Sequence, residues 1–162
     1  MAVHPYTANS AFRNSNEVHT MNQDLKIRPF QPGDEAAVID LWQRCNLLRP
    51  WNDPHKDIQR KLSIQPELFL VGLYEQQLVA TIMAGYEGHR GWINYLAVAP
   101  EQQQRGIGRV MMDAAETRLH TLGCPKINLM VRSSNAAVLA FYEQLGYKQD
   151  EVVCLGKRLV ED

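Results

Sequence analysis

The period of the apolar positions changes repeatedly along the chain, and each change marks an element. "LKIRPF" at 25–30 alternates apolar and polar and halts at Pro32-Gly33, which reads as a short strand. Val38, Leu41, Trp42 and Cys45 then recur at helical spacing. "LLRPWNDPHKDIQRKL" holds two proline breaks and continues as a second short helix from about Pro54, because proline in a first turn forfeits no hydrogen bond. Two β-prone runs in "PELFLVGLYEQQLVATIMAGYEG", parted by the turn-like "EQQ", predict an antiparallel hairpin, and "WINYLAV" predicts a third strand after the bend "EGHRG". Ile107, Val110, Met111, Ala114, Leu119 and Leu122 trace one helical stripe that stops at Gly123. "KINLMV" reads as a short buried strand. Val138, Phe141, Tyr142 and Leu145 mark a last helix, with Ser134 or Asn135 as N-cap and Gly146 as terminator. The tail "YKQDEVVCLGKRLV" is expected to add one or two final strands. The order describes an α/β fold with a mixed, mainly antiparallel sheet flanked by helices.

Composition narrows the function classes. A chain of 162 residues, 45% hydrophobic, suits one compact domain with a real core. Residues 1–23 are polar, carry no apolar periodicity and read as a flexible N-terminal extension, with Met21 as an equally natural start. A formal net charge of −1 supplies no basic field for nucleic acid or an anionic membrane, and no apolar run approaches a membrane span. Cys45, Cys124 and Cys154 are far apart, without a C-x-x-C pair or a metal-ligand spacing with histidine, so the expectation is a reduced, cytoplasmic protein without a metal site. Small-molecule chemistry fits best.

"QQRGIG" at 103–108 stands at the entrance to an otherwise good helix, where each glycine costs about 1 kcal/mol against alanine. A strand feeding such a turn into a helix N-terminus makes an anion site: orphan N–H groups point one way, the helix dipole adds to them, and glycine lets phosphate oxygens approach. The spacing matches neither G-x-G-x-x-G nor G-x-x-x-x-G-K-[ST]. An acidic ribose partner is missing and the preceding strands look antiparallel, which argues against a dinucleotide fold.

"LAVAPEQQQRGIGRVMM" resembles the acetyl-CoA-binding motif of the GCN5-related N-acetyltransferases (GNAT), and "VRSSNAAVLAFYEQLGYK" resembles that family's later segment, in the same order and separation. "CNLLRPWNDPHKDIQRKL", "GYEGHRG", "GCPKI" and "LGKRLVED" are similar to the bacterial YpeA-type members. The resemblance covers nearly everything after the extension and implies one N-acetyltransferase domain over 24–162, moving acetyl from acetyl-CoA to an amine of a small molecule or peptide. A homodimer is compatible with it. It places the CoA pyrophosphate on backbone amides of Gln104, Arg105, Gly106, Ile107, Gly108 and Arg109, with charge from Arg105 and Arg109. Leu96, Ala97 and Val98 match the strand whose backbone pairs with pantetheine beside a splay in the sheet. Asn135 matches an asparagine near pantetheine, and is equally a helix N-cap. Tyr142 matches the acid that protonates the leaving thiolate, and is equally a core aromatic.

The catalytic base departs from the family's patterns. Asn94 and Met130 stand where relatives carry glutamate, which leaves Glu87, with His89 beside it, as the candidate base. Arg49 and Trp51 fall in the connection that walls the acceptor pocket in this family. They read either as a grip for a carboxylate and an apolar group, or as a turn anchored by a buried Trp51. The missing carboxylates keep a non-catalytic CoA-binding domain open as the alternative.

Overall fold

A computed structural model describes residues 24–162; the N-terminal extension expected over 1–23 lies outside the described residues. Five strands form one sheet in chain order: β1 (Lys26–Pro29), β2 (Phe69–Tyr74), β3 (Gln77–Tyr86), β4 (Gly91–Val98) and β5 (Ile127–Leu129). All neighbours are antiparallel except β4 and β5, which run parallel. Helices α1 (Glu35–Arg44) and α2 (Pro54–Leu62) separate β1 from β2, α3 (Ile107–Thr121) separates β4 from β5, and α4 (Ala136–Gln144) follows β5. The sequence-based elements up to α4 are therefore present in the expected order. The β2–β3 hairpin closes through Glu75 and Gln76, both with left-handed φ (48° and 66°), the twist a two-residue hairpin loop requires.

Adjacent strand residues point to opposite faces, and this assigns the layers. Thr81 of β3 bonds Trp42 of α1. On the other side, a Cβ placed on Gly72 of β2 would meet Ala80 of β3 at 3.2 Å and Met111 of α3 at 3.0 Å. So α1 and α3 cover opposite faces. On the α1 face Trp42, Phe69 and Phe30 stack in a row, fully or nearly fully buried. Truncating a buried tryptophan such as Trp42 costs about 3–5 kcal/mol, so this row is a main source of stability. On the α3 face the buried residues are Ile107, Met111, Met112, Ala115 and Leu119, while Leu122 is exposed; the stripe is rotated slightly from the one read in sequence.

The tail corrects one expectation. Residues 148–162 form no strand, and Val152, Val153, Leu155 and Leu159 are exposed. β-prone residues make a strand only against a partner edge, and β5 has three residues to offer. The tail is held instead by side chains: Lys126 to Asp150 at 2.6 Å, Arg158 to Asn52 at 3.1 Å, and Arg60 to Asp162. Among the described residues, no helix is long and apolar enough to cross a membrane.

Candidate active site

β4 pairs with β5 only at Gly91, Trp92 and Ile93; beyond them Asn94–Val98 have no strand on that side, so the sheet opens into a cleft. In the same stretch the β3–β4 register slips between Thr81 and Met83, setting Tyr95 and Leu96 against the single residue Ile82. This is a β-bulge, and Tyr95 adopts φ 50°, which costs a non-glycine residue about 1–2 kcal/mol. Two hydrogen bonds show what the bulge does. Gly91 N–H donates to Lys126, on the β5 side, while Ala99 N–H donates to Val79, on the β3 side. The two positions are an even number of residues apart and would face the same neighbour in a regular strand. The bulge reverses the alternation, so Ala97 turns its backbone to Thr81 of β3, and Leu96 and Val98 turn theirs to the cleft. Of the three strand residues named from sequence, two face the opening. The Val98 carbonyl there accepts from the Gln103 amide at 3.0 Å.

The turn 103–108 follows this strand after a 3-10 turn at Pro100–Gln102. Gln104 and Gly106 both have left-handed φ (59° and 81°), and α3 begins at Gly106 without a side-chain cap. Its first helical bond runs from Val110 N–H to the Gly106 carbonyl, so the N–H groups of Ile107, Gly108 and Arg109 precede the ladder. Arg105 lies over this turn: one terminal nitrogen donates to Gln102 at 2.7 Å, and its Nε is buried with no partner. The N–H groups of Ile107, Gly108 and Arg109, left without intrahelical partners, are the part of this turn that an anion can complete. Arg109 is turned elsewhere, donating to the Gln144 carbonyl at the end of α4 at 3.2 Å. Gly108 has a packing reason of its own, since a Cβ there would come within 3.2 Å of the Phe141 ring.

Phe141 thus seats α4 against the first turn of α3. The next residue, Tyr142, makes edge-on contacts with Phe141 and Tyr147, ring centroids 5.1 and 5.6 Å away. Loss of water around its phenol pushes the pKa up to about 12, so the hydroxyl stays protonated throughout the neutral range. Asn135 is the N-cap of α4: its Oδ1 accepts from Val138 N–H at 3.3 Å.

Glu87 stands apart from these groups. Its carboxylate accepts from His89 N–H (2.7 Å) and Arg90 N–H (2.6 Å), closing the β3–β4 bend. Slight desolvation pushes its pKa up, but those two N–H bonds and the charges of His89 and Arg90 outweigh this and hold it low, which makes it a weaker base. The bend adjoins Gly91, and at roughly 3.3 Å per residue it is about 16 Å along β4 from Leu96. The structure therefore gives Glu87 the role of a turn cap. Arg49 likewise bonds carbonyls of its own turn, Asn46 and Leu48, both at 2.9 Å, and Trp51 is half exposed rather than buried. The carboxylate that does approach the bulge is Asp57 of α2, which accepts from the Tyr95 hydroxyl at 2.6 Å. No sequence motif marked it; it lies next to the buried Ile58, with its own side chain only 19% exposed.

The site therefore combines a bulged strand with an open edge and, beyond a short turn, an uncapped helix N-terminus. The model of the acetyltransferase (GNAT) family matches residues 36–147, and the chain belongs to that family. An acetyltransferase of Sodalis glossinidius is 52% identical over 139 residues, covering 85% of this chain and 98% of that protein. Among solved structures, the ribosomal-protein-S18-alanine N-acetyltransferase from Escherichia coli superposes with a TM-score of 0.65 at 23% identity, over 78% of this chain and 79% of that one. An aminoglycoside acetyltransferase from an uncultured soil metagenomic sample gives 0.69 at 20% identity, over 86% and 99%. The protein is an acetyl-CoA-dependent N-acetyltransferase.

Proposed function

We propose that the protein transfers the acetyl group of acetyl-CoA to a primary amine, of a small molecule or a peptide, by direct attack in a ternary complex. The observation that carries this is the uncapped α3 N-terminus, which follows the open edge of β4 after the 3-10 turn Pro100–Gln102. In this reading the amides from Gln104 to Arg109, with the Arg105 guanidinium, hold the pyrophosphate, and the Arg109 side chain braces α4. Pantetheine lies along Leu96 and Val98 in the manner of an added strand. Ala97 contributes by pairing with β3, and Asn135 by fixing the start of α4 beside the cleft.

The neutral amine forms a C–N bond to the thioester carbon, and the resulting oxyanion is stabilised by a β4 N–H, a type of contact whose loss typically costs about 2.7–4 kcal/mol. As the C–S bond breaks, the Tyr142 phenol hydrogen-bonds the departing thiolate and supplies its proton, and the phenolate regains a proton from water. The proton lost by the amine passes to water; Glu87 is not given that role. The two solved relatives named above act, by their titles, on a ribosomal protein and on aminoglycosides, so a shared fold leaves the acceptor to the side chains around the cleft.

A panel of amines assayed by release of the CoA thiol tests the reaction itself; no release with any acceptor, despite acetyl-CoA binding, overturns it. With a working acceptor, Tyr142→Phe is expected to lower kcat by about 10²–10⁴ at unchanged acetyl-CoA affinity. Wild-type turnover in that variant removes the acid role. The pH profile adds a check. Because the phenol is neutral below its raised pKa, the rate should climb as the acceptor amine deprotonates, with no downward limb from Tyr142 below about pH 11.

A further inference from the structure

Among the described residues, Thr81 is the fully buried polar residue of the core, and three elements meet at its hydroxyl. Trp42 Nε1 of α1 donates to Thr81 Oγ1 at 2.9 Å, and Oγ1 donates onward to the Tyr95 carbonyl at 2.9 Å. That carbonyl belongs to the bulge residue and has left the regular β3–β4 ladder. The Tyr95 ring stacks on Trp42 with centroids 3.9 Å apart, and its hydroxyl reaches Asp57 of α2. Carbonyl, ring and hydroxyl of one strained residue are thus each held by a different partner.

We propose that Thr81 is a positioning residue for acetyl transfer: its buried hydroxyl, relaying between Trp42 and Tyr95, holds the β4 bulge and so turns Leu96 and Val98, not Ala97, toward the cleft. The inference rests on the acetyl-CoA reading of that cleft. Its physical basis is the period of two along a strand: with one residue more or fewer in register, every backbone N–H beyond it changes sides. A hydroxyl is needed because it both accepts and donates. A valine of the same shape leaves the Trp42 N–H and the Tyr95 carbonyl buried without partners, which weakens the bulge from two sides. Serine retains both bonds.

The test compares Thr81→Val with Thr81→Ser, using the amine acceptor found for the wild type. Thr81→Val should lower kcat by about 10²-fold, the loss seen when a single oxyanion donor is misplaced. Its affinity for CoA should change less than 10-fold, because the α3 anion site is untouched. Thr81→Ser should keep kcat within a few-fold of wild type. A folded Thr81→Val with wild-type kcat, or a Thr81→Ser as impaired as the valine, overturns the proposal. Amide hydrogen exchange on the wild-type protein decides the matter should the valine variant not fold. Without ligand, Ala97 N–H should be protected and those of Leu96 and Val98 open, and CoA should then slow Leu96 and Val98. Added protection at Ala97 instead overturns the proposal. Failure of the acetyltransferase reading shows up separately, as no CoA-dependent change at any of the three amides in the wild type.

Discussion

The helices α3 and α4 sit side by side and begin in opposite ways. α4 starts at Asn135, whose side chain accepts from Val138 N–H, and α2 starts in the same manner at Asp53, which accepts from His55 N–H at 2.9 Å. α3, the longest of the four, starts at a left-handed glycine with no cap at all. A side-chain cap is worth about 1 kcal/mol over alanine but only about a few tenths over glycine, so Gly106 leaves the first N–H groups open at little local cost. On the proposed reading the substrate's pyrophosphate is the missing cap. α1 also starts without a side-chain cap, at Asp34, so at α3 it is the missing cap together with the left-handed backbone of Gln104 and Gly106 that the proposed reading rests on.

Several substitutions break or sharpen this contrast. The largest effect is expected from Gly106→Asp, which brings α3 a carboxylate such as the one that caps α2. Like-charge repulsion at the anion position should weaken acetyl-CoA binding by about 10²-fold, while the melting temperature moves by only a few degrees. Unchanged affinity by calorimetry would show that the uncapped terminus is not the phosphate site. Next comes Gly108→Ala, where the added methyl presses on Phe141. Overpacking of this kind costs about 1–3 kcal/mol of stability, read from denaturant midpoints, with affinity in the folded fraction close to wild type. The reverse outcome, full stability and lost affinity, would mean that this glycine serves the ligand alone. The smallest is Asn135→Ala, expected to cost about 1 kcal/mol through the lost cap and to shift acetyl-CoA affinity far less than Gly106→Asp does. An affinity loss matching that of Gly106→Asp would give the asparagine a direct hold on pantetheine.

The two glycines of the turn illustrate how far each level of information reaches. Gly106 is explained locally, by a φ of 81° that side chains rarely adopt. Gly108 is explained by Phe141, thirty-odd positions away in the chain and in contact only because α4 folds back onto α3. Glu87 shows the same limit from the other side. As a residue type and by elimination it was the available carboxylate, but its two oxygens cap the bend they sit in, a distinction that spacing does not carry.

By itself the sequence determined the order of strands and helices through α4, the hairpin, the start of α4 at Ser134 or Asn135, the terminating glycines and the glycine turn before α3, because each depends on periodicity or on backbone preferences within a few residues. Tertiary structure alone decided the bulge at Tyr95, the side of β4 that faces the cleft, the partnerless nitrogen of Arg105 and the unpaired course of the tail. These rest on contacts between distant segments: Trp42 reaches Thr81 across 39 positions, and Thr81 reaches Tyr95 across 14. Nothing in the local pattern of "WINYLAV" announces that its alternation reverses halfway. That reversal comes from the bulge at Tyr95, which on the proposed reading is held by a buried hydroxyl on the neighbouring strand, and a strand's register is set by what it packs against.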